Sequence, residues 1–289
     1  MSRRLLPRRS VLYVPALNTK AMGKARTLAC DAIIYDLEDA VAPDAKAEAR
    51  TCLLGHFQDA APASPQERII RVNMVGQVPD AEDIRVAVEC GPDAVLLPKV
   101  ERPETLFAAR QALDAAGGEI RLWAMVETPL GIVNLREIAE AGATDRIGLD
   151  CLVAGVNDLA KETNLRLPAG RPTIEHWLAA IVIHARAFGM DALDGVYNDF
   201  RDEAGFEAEC RQAVLGGFDG KTLIHPAQVA AANALFSPTE EALSEARAII
   251  AAFDSPANAG KGVLVIDGKM AERLHADMAR QLIARAGNL

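Results

Sequence analysis

The chain has 289 residues, half of them hydrophobic, and a formal net charge of -9. That length supports one large α/β domain or two small ones, and the acidic balance argues against a nucleic-acid surface. Its five cysteines form no CxxC pair, which argues against structural zinc and suits a reducing, cytoplasmic compartment.

The opening MSRRLLPRRS is basic but leads into no signal-like apolar region, so a solvated arm or a clamp for an anion is expected rather than a secretory signal. No run approaches a membrane span. Eight short apolar runs follow: SVLYVPA (10–16), AIIYDLED (32–39), RIIRVN (68–73), AVLLPKV (94–100), RLWAMVET (121–128), IGLDCLVAG (147–155), MDALDGVY (190–197) and DGKTLIHP (219–226). Several are apolar almost throughout, as strands buried on both faces are. Segments with helical spacing separate them, such as AKAEARTCLLGHF (45–57) and AEDIRVAVECG (81–91). Strands alternating with helices build right-handed βαβ units. Eight such units predict an α/β fold, a (β/α)8 barrel over residues 1–236. A doubly wound open sheet is the alternative, but no GxGxxG follows the first strand. Beyond it, helical patterns at 226–236, 239–253 and 271–287 predict a helical C-terminal extension over 237–289. The glycine-rich NAGKG (258–262) and VLVIDGKM (263–270) interrupt it. This extension is a candidate lid and subunit contact.

In such a barrel the chemistry sits at the C-terminal ends of the strands. Those positions hold Asp36, Glu38 and Asp39, then Arg71 and Asn73, Lys99, Glu127, Asn157 and Asp158, Asp194 and Asp199, and His225. Each has an ordinary reading: Asp158 as a helix cap, Arg71 as an ion-pair partner of Glu38 or Asp39. Together they require mutual pairing or a metal, because several acids cannot be buried at one mouth uncompensated. Carboxylates without clustered histidines or cysteine pairs are hard oxygen donors, which suit Mg²⁺. Glu127 and Asp158 are its expected ligands.

The blocks RRSVLYVPALNTKAMGKA, DAIIYDLEDAVAPDAKAEAR, RVN, LLPKVE, VETPLGIVNL, GVNDLA and GKTLIHPAQV, in this order from Arg8 to about Gln228, resemble the citrate lyase β-subunit and malyl-CoA lyase group of the HpcH/HpaI aldolase superfamily. The resemblance implies a barrel assembled as a trimer or a dimer of trimers. It also implies Mg²⁺-dependent cleavage of a 3-hydroxyacyl-CoA thioester of malyl, citramalyl or citryl type to acetyl-CoA and a 2-keto acid. It carries Mg²⁺ binding to Glu127 and Asp158, the thioester oxygen to Arg71, the CoA portion to Tyr13 and Lys24, and a catalytic base from a neighbouring subunit to Glu272. Glu272 stands where the family usually has Asp, and Ala16 where Gly is commoner. Asn18 replaces a basic residue, which shifts expected CoA-phosphate contacts to Arg8, Arg9 or Lys20. Asp36, Glu38, Asp39 and Lys99 are expected to orient Arg71 and the metal waters. Two alternatives are a metal-dependent aldolase on free keto acids and a citrate lyase β-chain that needs an acyl-carrier partner. No nucleic-acid or membrane partner is expected.

Overall fold

A computed structural model describes residues 7–59 and 66–286. All eight apolar runs form strands: β1 (Ser10–Pro15), β2 (Ala32–Asp36), β3 (Glu67–Arg71), β4 (Ala94–Leu97), β5 (Arg121–Val126), β6 (Leu149–Ala154), β7 (Asp191–Asp194) and β8 (Gly220–Leu223). They pair in parallel in chain order, and β8 closes onto β1 through Ser10–Lys221, Val11–Thr222 and Leu12–Leu223. The result is a closed (β/α)8 barrel. Helices follow each strand, among them α1 (Thr19–Ala25) after β1 and α7 (Val156–Glu162) after β6. Among the described residues no helix is long and apolar enough to cross a membrane.

Strand side chains alternate between two faces. The inward positions Val11, Ile34, Ile69, Leu96, Trp123, Met125, Val153 and Leu193 form one buried cluster that fills the barrel. The same alternation continues upward to Tyr13, Asp36, Arg71 and Glu127, so the pleat that packs the interior delivers these polar side chains to the mouth.

At the opposite end an arginine closes the barrel. Arg8 is 3% exposed. It donates from Nε and Nη2 to both oxygens of Glu67 at 2.8 and 2.7 Å, and from Nη1 to Asp191 at 2.8 Å. Its guanidinium lies 4.6 Å from the centre of the Trp123 ring. Arg9 pairs with Asp31 at 2.7 Å. Neither arginine is therefore placed to bind a CoA phosphate, because both guanidiniums are committed to carboxylates. The chain divides into two compact units, one from Arg8 to Leu235 and one from Phe236 onward. The second unit is not helical throughout. Between α11 (Glu240–Asp254) and α12 (Arg273–Ala286) it contains an antiparallel hairpin, β9 (Val263–Ile266) with β10 (Lys269–Glu272). The turn residues Asp267 and Gly268 both have positive φ, 49° and 78°, as a two-residue primed hairpin turn requires. Phe253, Leu264, Ala271 and Ala276 form this unit's core.

Removing one member of a buried ion group leaves the others uncompensated, typically at about 3–5 kcal/mol. Arg8→Met is expected to lower the barrel's stability by that amount in urea unfolding. Adding Glu67→Gln should recover part of the loss, because one of the two carboxylates left behind is then neutral.

Candidate active site

Register places Asp36 on β2 directly beside Arg71 on β3. Arg71 donates from Nε and Nη2 to the two Asp36 oxygens at 2.7 and 2.6 Å. Its Nη1 lies 2.9 Å from Glu38 and 3.6 Å from Asp39. This planar, two-pronged match is one that only Arg supplies. Burial works against the Arg71 charge, but Asp36 and the neighbouring acids hold its pKa well above the ordinary value. Asp36 also accepts from the backbone N–H groups of Glu38 and Ala40, so the loop after β2 wraps the pair. Burial pushes the Glu38 carboxyl up, although Arg71 and Lys99 oppose it. Burial acts on Asp39 in the same sense, but hydrogen bonding with Glu38 and the Arg71 charge bring it below its usual range.

Lys99 links this cluster to Glu127. Its Nζ donates to Glu38 at 2.8 Å and its backbone N–H donates to Glu127 Oε1 at 2.7 Å. To present that N–H it adopts φ of 49°, the left-handed region, which costs a non-glycine residue about 1–2 kcal/mol.

Glu127 is 1% exposed. Its Oε2 has no hydrogen-bond partner; among the described buried side-chain atoms only Trp123 Nε1 shares that condition. Burial, with the Asp158 charge adding to it, pushes the Glu127 pKa from 4.5 to about 7 against the opposing pull of Arg71 and the Lys99 N–H. The space around Oε2 exists because residue 155 is glycine. A Cβ there would stand 2.3 Å from Glu127 Cβ and 2.6 Å from Oε2. Asp158, in the first turn of α7, is half-buried and lines the same cavity, whose volume is about 370 Å³. Tyr13, Asp36, Asp39, Arg71 and Met125 line it too, with Val196, Thr222 and Ile224 as a less polar wall.

The structure thus brings together Tyr13, Asp36, Glu38, Asp39, Arg71, Lys99, Glu127 and Asp158, and leaves other expected residues elsewhere. Lys24 is exposed on α1 and is not among the lining residues of the cavity. Tyr13, expected on the CoA portion, lines the cavity with its ring 5.0 Å from the Arg71 guanidinium. Asp194 is fully buried and held by Lys221 at 2.6 Å and Arg171 at 2.9 Å, an ion group completed by Glu209. Asn73 is bound to Asp83 and to the Leu37 carbonyl, and His225 stacks on Phe200 at 4.5 Å. Glu272 ends β10 in the second unit, half-buried, and its backbone N–H donates to His275 Nδ1 at 3.0 Å. Gly155 and Met125 were not singled out by the sequence. A glycine closing an apolar run (LVAG) is the only signal the former gave, and Met125 reads as ordinary core.

A cation fits the donor set: an orphaned buried carboxylate oxygen, a second carboxylate nearby, and space between kept by a glycine. Without a cation, Glu127 has a sign-specific effect on stability. Its folded pKa lies above 4.5, so its contribution falls as pH rises from about 4.5 through 7 and the penalty is complete above 7. In EDTA, Glu127→Gln is expected to raise stability over the unsubstituted chain at pH 8 by about 1–3 kcal/mol and to change little at pH 5. Thermal unfolding of both proteins at the two pH values measures this.

Residues 9–226 match the HpcH/HpaI aldolase/citrate lyase family. A (3S)-malyl-CoA thioesterase of Cereibacter sphaeroides is 46% identical over 99% of this chain and 97% of its own length. The human mitochondrial citramalyl-CoA lyase is 33% identical over 98% of this chain and 87% of its own. Among solved structures, the CitE protein of Mycobacterium tuberculosis in complex with magnesium, acetoacetate and coenzyme A aligns with a TM-score of 0.79. It is 29% identical, with 98% of this chain and all of that one covered. The chain belongs to the HpcH/HpaI aldolase/citrate lyase family.

Proposed function

We propose that the protein is a Mg²⁺-dependent carbon–carbon lyase that cleaves a 3-hydroxydicarboxylyl-CoA thioester to acetyl-CoA and a 2-keto acid. The observation that carries this reading is the convergence in one cavity of the partnerless Glu127 Oε2, Asp158 and the clamped Arg71. Glu127 and Asp158 would hold the cation. Among the described residues no group of three or more acids, histidines or cysteines is placed to bind a metal, so water and substrate oxygens would complete the octahedron. Bound there, Mg²⁺ supplies a Lewis acid for the carboxylate and α-oxygen of the 2-keto acid half.

The chain's own residues perform the rest. Arg71 stays charged at any working pH and offers a fixed donor to the thioester oxygen, where negative charge collects as the acetyl enolate leaves. Asp36 holds the guanidinium plane through both oxygens, and Lys99 with Glu38 and Asp39 fixes its third nitrogen. Asp36 and Lys99 therefore act by positioning. In a trimer, or a dimer of trimers, the second unit of one copy would bring Glu272 to the mouth of its neighbour and move the proton at the acetyl carbon. The exposed Val265, Met270, Leu274 and Met278 of that unit support a role in subunit contact. Five free cysteines support a reducing, cytoplasmic location.

The 46% identical relative is named as a thioesterase, which favours a second reading at the same site, hydrolysis of the thioester. Incubation with (3S)-malyl-CoA, citramalyl-CoA and citryl-CoA in Mg²⁺ separates the two. Acetyl-CoA with a keto acid is the expected outcome; free CoA with the intact hydroxy acid would establish hydrolysis, and EDTA should abolish either. Arg71→Lys keeps the charge and loses the fork. Its kcat/KM is expected to fall by about two orders of magnitude with the protein still folded, whereas near-normal turnover would reduce Arg71 to a structural ion-pair partner. Glu272→Gln keeps shape and removes the base, so it should lose most turnover while Mg²⁺ binding, followed by calorimetry, stays intact.

A further inference from the structure

Two hydrogen-bond donors in the cavity converge on one poor acceptor. The Tyr13 hydroxyl and Arg71 Nη1 both lie 3.7 Å from Met125 Sδ. A thioether sulfur is a weak acceptor, and the half-buried Tyr13 faces the cavity beside it. Arg71 commits Nε and one Nη2 hydrogen to Asp36, and one side of Nη1 faces Glu38. Beside Met125, one Nη1 direction and the phenol stand together on the cavity wall. The alternation of β1 fixes the phenol there, since Val11 below it packs in the barrel interior and Tyr13 lines the cavity. Burial holds the phenol well above its ordinary pKa of 10.0, so Tyr13 is a donor and not a base throughout the working range.

We propose that Tyr13 is a second catalytic donor, whose hydroxyl joins Arg71 Nη1 in binding the thioester oxygen as that oxygen becomes negatively charged. This rests on the CoA-thioester reading above. In the resting protein the Met125 sulfur occupies the attention of both donors; a substrate oxygen is a far better acceptor and takes both hydrogen bonds. The hydroxyl keeps its proton throughout. The same pair serves whether the carbon–carbon or the carbon–sulfur bond breaks, because both reactions place charge on that oxygen. Two donors there give the geometry of an oxyanion hole, with one charged and one neutral member.

Tyr13→Phe removes the hydroxyl and keeps the ring under Arg71. With (3S)-malyl-CoA and Mg²⁺, kcat is expected to fall about 10- to 100-fold while KM stays within about twofold. A binding measurement supports the kinetics without turnover. Carboxymethyl-CoA places a carboxylate where the enolate oxygen develops, and its affinity should weaken about tenfold in the variant, whereas acetyl-CoA should change less than about twofold. Equal kcat and equal carboxymethyl-CoA affinity would overturn the role of Tyr13 and leave the CoA-thioester reading standing. Equal weakening of both ligands, with KM raised to match, would mark a packing effect and also overturn it. An unsubstituted protein that neither turns over nor binds any of these thioesters would overturn the CoA reading and the Tyr13 role with it.

Discussion

Burying Glu127 with one oxygen unsatisfied is the constraint on which the mouth of this barrel depends. An isolated carboxylate in that position would take up a proton rather than remain charged, and burial moves the Glu127 pKa in that direction, from 4.5 to about 7. Three features keep it from being relieved within the chain. Lys99 caps only Oε1, and must leave the ordinary backbone regions to do it. Residue 155 has no side chain, so nothing fills the space beside Oε2. Asp158 faces the same cavity and adds repulsion instead of a donor. The desolvation is concentrated where a cation would offset it.

The charge balance around the cavity extends the same point. Asp36, Glu38, Asp39, Glu127 and Asp158 are acids; Arg71 contacts the first three, and Lys99 contacts Glu38 with its ammonium and Glu127 with its backbone N–H. Arg71 is therefore not a free positive charge waiting for a substrate anion. Three acids hold it, and its value to chemistry lies in the direction of its N–H bonds more than in net attraction. A preorganised dipole of this kind needs no rearrangement when charge develops opposite it. A divalent ion held by Glu127 and Asp158 would offset part of this negative charge.

The fold was readable because every barrel strand is a short apolar run bounded by helical spacing, and burial on both faces leaves little ambiguity. The polar residues at the mouth were readable for the converse reason: Glu127 after MetVal and Arg71 after IleIle break an apolar pattern at its C-terminal end. What the sequence could not show was the side to which a polar residue points once the barrel closes. Asp194 sits at a strand end like Asp36, yet its partner is Lys221, brought beside it by the pairing of β7 with β8. Arg8 looked like part of a basic arm because its partners, Glu67 and Asp191, are 59 and 183 residues away. The left-handed φ of Lys99 leaves no mark in composition. The hairpin in the second unit did leave one, Asp-Gly between alternating residues, but a flanking helical pattern on each side obscured it.

The two ends of the barrel interior make an instructive pair. Each is organised by one arginine that lies against an aromatic ring and is clamped in a bidentate manner by a carboxylate: Arg8 on Trp123 and Glu67, Arg71 on Tyr13 and Asp36. They differ in the third nitrogen. In Arg8, Nη1 reaches Asp191 at 2.8 Å and the group closes on itself beneath an apolar core. In Arg71, Nη1 is shared between Glu38 and a sulfur, a bond weak enough to exchange. The ring differs in the same sense: an indole with no acceptor below, a phenol with a hydroxyl above. Each guanidinium makes three short carboxylate contacts, and what sets Arg71 apart is that it also lines a cavity.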